Sequence, residues 1–170
     1  MVFRKCRFLQ LLKEKGELTL KNSSAKDKQK YEELEYYEYL LQENILWQDR
    51  NRYTQILEDF VDGRITIEEL DEQICELRIS CLKSSKELVN NLEKTVLTNF
   101  ESDSITINYN QKSRGFSDLL QDLSFELDLY DPNVSYEENL NFPDKIVFGM
   151  SKEFFRLNVK EFFLPKMKEY

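Results

Sequence analysis

Two amphipathic stripes separated by a helix stop and a helix start are the feature that most constrains the fold of this chain. The first stripe has apolar side chains at helical spacings of three and four residues, on Tyr53, Ile56, Leu57, Phe60 and Val61. Gly63 follows as a natural left-handed residue after a helix C-terminus. Thr66 and Glu69 have the spacing of a capping box, in which a hydroxyl and a carboxylate satisfy backbone N–H groups reciprocally. The segment therefore predicts a helix–turn–helix corner.

The same spacing predicts long helices on either side of this corner. One helix is expected over Ser24–Leu41, with Ser24 as its cap, and a longer one is expected after Thr66. The stripe of the longer helix consists of Leu70, Ile74, Leu77, Cys81, Leu88, Leu92 and Val96. A polar gap between Cys81 and Leu88 is its weak point.

Two more helices are expected towards the C-terminus, over Phe116–Leu127 and after Ser151, and Pro165 is expected to end the last one. Ser102–Asn110 alternates apolar and polar residues, which indicates a short strand or an extended connector. Only 4 Gly and 3 Pro occur in 170 residues, so the turns that a sandwich or barrel needs are scarce. The predicted fold is all-α, a helical bundle of five or six helices with a short extended connector near residues 102–110.

The corner also matches the second half of a calcium-binding EF-hand loop. With Gly63 at loop position 6, Asp62 and Glu69 fall at ligand positions 5 and 12. Positions 1 and 3 hold Glu58 and Phe60, and Phe60 offers no side-chain oxygen. Since a helix stop followed by a capping box produces nearly the same letters, we expect no metal at this corner.

Charge divides the chain into two parts. Residues 1–30 contain nine Lys/Arg and three Asp/Glu, a formal charge of +6, which leaves −14 on residues 31–170. We interpret residues 1–23 as a basic N-terminal arm and residues 24–170 as an acidic α-helical domain. The acidic domain is expected to attract basic partners and to bind no nucleic acid directly. The arm is expected to aid solubility or to touch phosphate or an acidic surface.

The residue types that most catalytic and cofactor sites need are missing. Histidine is absent, and no nucleotide-binding or nucleophile-elbow motif occurs. The three cysteines, Cys6, Cys75 and Cys81, lack metal-binding spacing. We expect no enzymatic activity, no cofactor and no metal. No apolar run approaches the ~18–20 residues of a membrane span, so we predict a soluble cytoplasmic protein, with an organelle stroma or matrix as the alternative.

An acidic stripe on the penultimate predicted helix is the strongest candidate for a binding surface. Asp118, Asp122 and Glu126 are four residues apart and share one helix face, and Asp128 and Asp131 extend the acidity beyond it. Such a run is either a solvated face or a docking surface for a basic protein partner, where complementary charge accelerates association.

Two segments carry a resemblance to a known family. RYTQILEDFVDGRITIEELDEQICELR and GFSDLLQDLSFELDLYDPN, in roughly the middle half of the chain, resemble the colicin D immunity protein family. The resemblance implies an α-helical bundle whose acidic surface neutralises a basic ribonuclease toxin by occupying its tRNA-binding face. The residues that match the family's corner and its later segment are Asp62, Gly63, Ile65, Thr66 and Glu69, and Asp128, Tyr130 and Pro132.

Two functions of different classes follow from these observations. The first is an acidic protein-binding module, a stoichiometric immunity-type inhibitor that blocks the basic substrate-binding face of a nuclease toxin. The second is a non-catalytic accessory subunit of a large assembly, organelle-encoded or not, such as a ribosome, polymerase or photosynthetic complex, with the basic N-terminus as attachment arm. A small hydrolase acting through carboxylates is a third hypothesis, which the missing motifs disfavour.

Overall fold

The computed structural model describes residues 3–15, 25–98, 105–141 and 149–170, and within these ranges the chain is all-α, with seven helices and no strand. The first six helices are α1 (Lys5–Glu14), α2 (Ala25–Gln48), α3 (Arg50–Val61), α4 (Ile67–Thr98), α5 (Ser113–Asp128) and α6 (Tyr136–Asn141). The last, α7, is α-helical over Lys152–Asn158, π-helical over Val159–Phe163 and α-helical again over Leu164–Lys168. The predicted helical bundle is confirmed. The Ser24 cap lies outside the described residues.

Buried apolar side chains form two separate cores that share α2 and α4. The large core consists of Leu46, Tyr53, Leu57, Phe60, Ile67, Leu70, Ile74, Leu77, Cys81, Phe116, Leu119, Leu120, Leu123, Met150, Phe155, Val159, Phe163 and Met167. The small core consists of Phe8, Leu9, Leu11, Leu12, Leu34, Tyr37, Leu40, Leu41, Val89, Leu92, Val96 and Ile105. α3 therefore packs on the first half of α4 and α1 on its second half, whereas α5 packs against α2 and α7 against α3.

The predicted stripe of α4 is wrong at one position. Leu88 was expected to be buried but is 36% exposed, whereas Val89 is only 6% exposed and Ser85 is also buried. The buried positions step by four residues twice, from Cys81 to Ser85 to Val89. Each step of four residues advances ~40° beyond a full helical turn, so the stripe rotates here. The polar gap in the sequence is thus the point where α4 passes from one core to the other.

The predicted corner between α3 and α4 is confirmed. Gly63 has a φ of 75°, the left-handed conformation that a glycine adopts without strain. The backbone N–H of Thr66 donates to Glu69 Oε2 over 2.7 Å, and the backbone N–H of Glu69 donates to Thr66 Oγ1 over 3.2 Å. The two remaining carboxylates of the EF-hand alignment have basic partners. Glu58 pairs with Lys168 at 2.7 Å and Asp62 pairs with Arg64 at 3.0 Å.

The connector before α5 is extended, as expected, over its described residues 105–110. The buried side chain of Asn44 on α2 holds it from both sides. Its Nδ2 donates to the carbonyl of Asn108, and its Oδ1 accepts from the backbone N–H of Asn110, both over 2.8 Å. Lys5 Nζ donates to the carbonyl of Ile105, also over 2.8 Å. Side chains thus satisfy backbone groups that a strand would satisfy in a sheet.

The described part of the predicted basic arm is built into the small core. Residues 3–15 include α1, which buries Phe8, Leu9, Leu11 and Leu12 almost completely. The division of the chain into an arm (1–23) and a domain (24–170) stays a prediction, but α1 is packed like any other helix of the bundle.

Pro165 does not end the last helix, contrary to the prediction. The backbone N–H of Leu164 donates to the carbonyl of Val159, five residues earlier, so a π-helical turn precedes the proline. Pro165 then occupies the first turn of the segment Leu164–Lys168. The N–H groups in the first turn of a helical segment have no acceptor within that segment, so a proline, which has no N–H, is tolerated there. The predicted Ser151 cap is confirmed, since Ser151 Oγ accepts from the backbone N–H of Phe154 over 3.2 Å.

Candidate functional site

α5 displays the predicted acidic stripe on a rigid base. Its apolar face buries Phe116, Leu119, Leu120 and Leu123 in the large core and packs against α2. On its other face Asp118 and Asp122 are exposed and Glu126 is half-buried. Asp128, the last residue of α5, is exposed, and Asp131 is half-buried in the following turn.

Two of the five predicted residues are engaged in local structure. Glu126 Oε2 accepts a hydrogen bond from Asn158 Nδ2 over 2.9 Å, which ties α5 to α7. Asp131 Oδ1 accepts from the backbone N–H of Asn133 over 2.8 Å and from its Nδ2 over 3.0 Å, so it shapes a turn.

The other three predicted residues keep their charge available. Among the residues that the structure describes, no ion pair joins Asp118, Asp122 or Asp128 to a basic side chain, although Arg114 lies one helical turn before Asp118. Carboxylates without a counter-ion attract cations most strongly, so Asp118 and Asp122 are the centre of the candidate surface.

A small pocket at the C-terminal end of α5 adds two acidic residues that sequence reasoning missed. It has a volume of about 130 Å³ and is lined by Ile67, Glu68, Asp71, Leu127, Asp128 and Tyr130. Burial raises the pKa of Tyr130, and the charges of Glu68, Glu153 and Asp131 raise it further. Because Glu68 and Asp71 of α4 line this pocket together with Asp128, we group them with the α5 stripe. The acidic surface, as this group is called below, consists of Asp118, Asp122, Glu126, Asp128, Asp131, Glu68 and Asp71. Glu68 and Asp71 were missed because only the fold brings them beside Asp128.

A buried carboxyl group lies beside the other end of the stripe. Glu43 of α2 is only 1% exposed, and neither carboxylate oxygen has a hydrogen-bond partner of standard geometry among the described residues. Burial raises the pKa of Glu43. The Tyr39 hydroxyl and Arg114 lower that pKa, and Asp118 raises it, but burial outweighs them. These three groups are therefore the polar neighbours of the carboxyl.

Four more acidic residues, Glu32, Glu33, Glu35 and Glu38, lie close together near the start of α2. Arg7 donates to both carboxylate oxygens of Glu33, and Lys15 lies 3.7 Å from Glu38. Lys28 lies 3.9 Å from Glu32. Basic residues of the N-terminal segment therefore pair with three of these four carboxylates.

The only tryptophan and most tyrosines serve packing. Tyr37 and Tyr53 are buried in the cores. Trp47 is half-buried at the large core, with the Arg50 guanidinium 4.1 Å from its ring centroid. Tyr39 is different, because 45% of it is exposed and it neighbours Asp118. Aromatic side chains with this combination of exposure and acidic neighbours are typical of interface anchors.

Reactive side chains are few in the described structure. Cys81 is buried, its thiol donates to Asp49 Oδ2 over 3.3 Å, and burial together with this hydrogen bond raises its pKa to about 12. A thiol with such a pKa is a poor nucleophile near neutral pH. No group of three or more acidic or cysteine side chains within the described ranges is arranged to hold a metal ion. None of the described helices is both long enough and apolar enough to cross a membrane.

The chain was compared with known proteins at three levels. No protein-family model, no curated protein and no solved structure matches it. The resemblance to the colicin D immunity protein family therefore stays a hypothesis, and the argument for function depends on the acidic surface itself.

Proposed function

We propose that this protein is an acidic protein-binding module, an immunity-type inhibitor that binds stoichiometrically to the basic substrate-binding face of a nuclease toxin. The observation that carries the proposal is the pair of exposed carboxylates, Asp118 and Asp122, on one face of a helix whose other face is fixed in the large core. A rigid array of negative charges resembles the row of phosphate groups that the basic face of a nuclease recognises in a nucleic acid.

The packing of α5 supports an inhibitor in particular. Binding loses least entropy when the contacting side chains are already ordered. Hydrogen bonding of Glu126 to Asn158 and of Asp131 to Asn133 fixes the C-terminal end of the surface before any partner arrives. An inhibitor acts by occupying a face of its target and needs no catalytic group of its own.

Charge reversal tests the proposal. The double variant Asp118→Lys/Asp122→Lys is compared with Glu87→Lys/Glu137→Lys, which changes two exposed carboxylates outside the acidic surface by the same total charge. Binding to the catalytic domain of a colicin D-type ribonuclease is measured by stopped-flow at low and high salt. We expect the first variant to lower the association rate about tenfold or more at low salt, and the control to lower it much less. Equal association rates for the two variants would refute the proposed surface.

The accessory-subunit alternative finds less support in the described residues. It assigns attachment to the basic N-terminus, yet Arg7, Lys15 and Lys30 pair with acidic side chains of the same chain. Removing residues 1–23 would also remove the four buried side chains of α1, so a truncated protein would lose core packing as well as charge. Charge reversal is the cleaner way to separate the two functions.

A further inference from the structure

Glu43 is a buried acidic group that the fold itself does not compensate. Removal of a carboxylate from water is costly unless hydrogen bonds or a counter-ion replace its hydration. Glu43 makes no ion pair and no hydrogen bond of standard geometry within the described structure, although the Tyr39 hydroxyl and Arg114 are close enough to lower its pKa. Glu43 thus has an unused capacity to accept hydrogen bonds.

The position of Glu43 connects this capacity to the acidic surface. Tyr39 lies one helical turn earlier on α2, and Asp118 lies on the facing helix α5. Both groups are exposed at the surface, and both shift the pKa of Glu43: the Tyr39 hydroxyl, a hydrogen-bond donor, lowers it, and the negative charge of Asp118 raises it. Burial also raises the pKa of the Tyr39 hydroxyl, and the negative charge of Glu43 raises it further. An aromatic ring and an exposed carboxylate therefore flank the buried carboxyl.

We propose that Tyr39, Asp118 and Glu43 together form the docking point for an arginine side chain of the basic partner. The proposal depends on the function given above and names the chemistry at one end of the acidic surface. Asp118 accepts from the guanidinium at the surface, and the ring of Tyr39 provides a stacking face. Displacement of the Tyr39 side chain by a rotamer change lets Glu43 accept from the same group.

Arginine suits this arrangement better than lysine. Its planar guanidinium carries five N–H donors, which is enough to serve two carboxylates at once, and it stacks on aromatic rings. It is also less strongly hydrated than an ammonium group, so it enters a desolvated position at lower cost. The docking point should therefore distinguish between two cations of equal charge.

The test uses hexaarginine and hexalysine peptides as probes, with affinities for the full chain measured by calorimetry at low salt. We expect the wild-type protein to bind hexaarginine several-fold more tightly. Glu43→Gln keeps the shape and removes the charge, and it should reduce hexaarginine affinity about tenfold and abolish the preference. Tyr39→Ala, which truncates a side chain that is 45% exposed, should reduce the same preference. Glu87→Gln, on an exposed part of α4, is the matched control and should change neither affinity.

The remaining outcomes separate the two proposals. If Asp118→Asn and Asp122→Asn weaken both peptides while Glu43→Gln and Tyr39→Ala leave the arginine preference intact, the acidic surface stands and the docking point is refuted. If neither peptide binds, or if binding does not respond to Asp118→Asn and Asp122→Asn, the acidic surface and the docking point are both refuted.

Discussion

Replacement of Glu43 by methionine should make the protein more stable. Both carboxylate oxygens are buried without a hydrogen bond of standard geometry in the described structure, and an unsatisfied buried polar group costs about 1–3 kcal/mol. Methionine has nearly the same length and volume and needs no hydrogen bond, so it fills the space between α2 and α5 without overpacking. We expect Glu43→Met to raise the free energy of unfolding by about 1–3 kcal/mol near pH 8, which corresponds to a Tm increase of ~2–10 °C for a chain of this size.

The stability advantage of Glu43→Met should depend on pH, which an effect of packing alone would not. The pKa of Glu43 in the folded state is raised above its ordinary value of 4.5. Between the two values the folded state binds more protons than the unfolded state, so wild-type stability falls as pH rises through this window. Below the unfolded value both states are protonated and the charge penalty is absent. The advantage of Glu43→Met should therefore be larger at pH 8 than at pH 4.

Urea unfolding followed by circular dichroism at the two pH values measures both effects. Glu87→Met is the matched control, because Glu87 is exposed on α4 and its replacement removes the same charge. The reasoning would be wrong if Glu43→Met were less stable than the wild type at pH 8. It would also be wrong if its stability advantage did not change with pH.

Three further predictions concern the backbone, the thiols and the small core. Gly63→Ala should lower the free energy of unfolding by about 1–2 kcal/mol, because the positive φ at this position strains any side chain. Gly149→Ala should lower it more in the same urea assay, because the added Cβ would also lie 2.9 Å from Cβ of Asp131. In the native protein Ellman's reagent should modify two thiols quickly and reach the third, Cys81, only after unfolding, since its burial and raised pKa protect it. Phe8→Ala should destabilise the protein by about 3–5 kcal/mol, whereas a free N-terminal arm would give no measurable change in urea unfolding.

Local signals in the sequence predicted two of the helix boundaries correctly. The corner at Gly63 and the start of the last helix depend on a few neighbouring residues, and the structure confirms both. The short helix α6 was missed although its signal is present. Ser135 and Glu138 form a capping box, with the backbone N–H of Ser135 donating to Glu138 Oε2 over 2.7 Å and that of Glu138 donating to Ser135 Oγ over 3.2 Å. A search for this motif alone would have found the helix.

Errors arose where the answer depends on neighbouring helices. Whether Leu88 or Val89 is buried depends on which side of α4 the small core lies, and helical spacing alone allows both. From the sequence alone, Glu43 would be interpreted as an ordinary charged residue of an amphipathic helix. α2, however, is packed against α1, α4 and α5, so it has buried positions on several sides. The buried acid beside Asp118 could not be found without the arrangement of these helices.

The same arrangement explains why Asp118 and Asp122 keep their negative charge without a basic partner in the part of the chain that the structure describes. The basic side chains around α1 pair with acidic residues of the same region, as Lys30 does with Glu14 at 2.7 Å and Lys15 does with Glu93 at 3.2 Å. α5 packs on the large core, and among the described residues no basic side chain pairs with Asp118 or Asp122. Because paired charges largely cancel at a distance, the field that a partner experiences comes mainly from the unpaired carboxylates. The N-terminal bases, which the sequence presents as an attachment arm, thus neutralise acidic residues of their own part of the bundle, whereas α5 carries carboxylates that have no basic partner in the described structure.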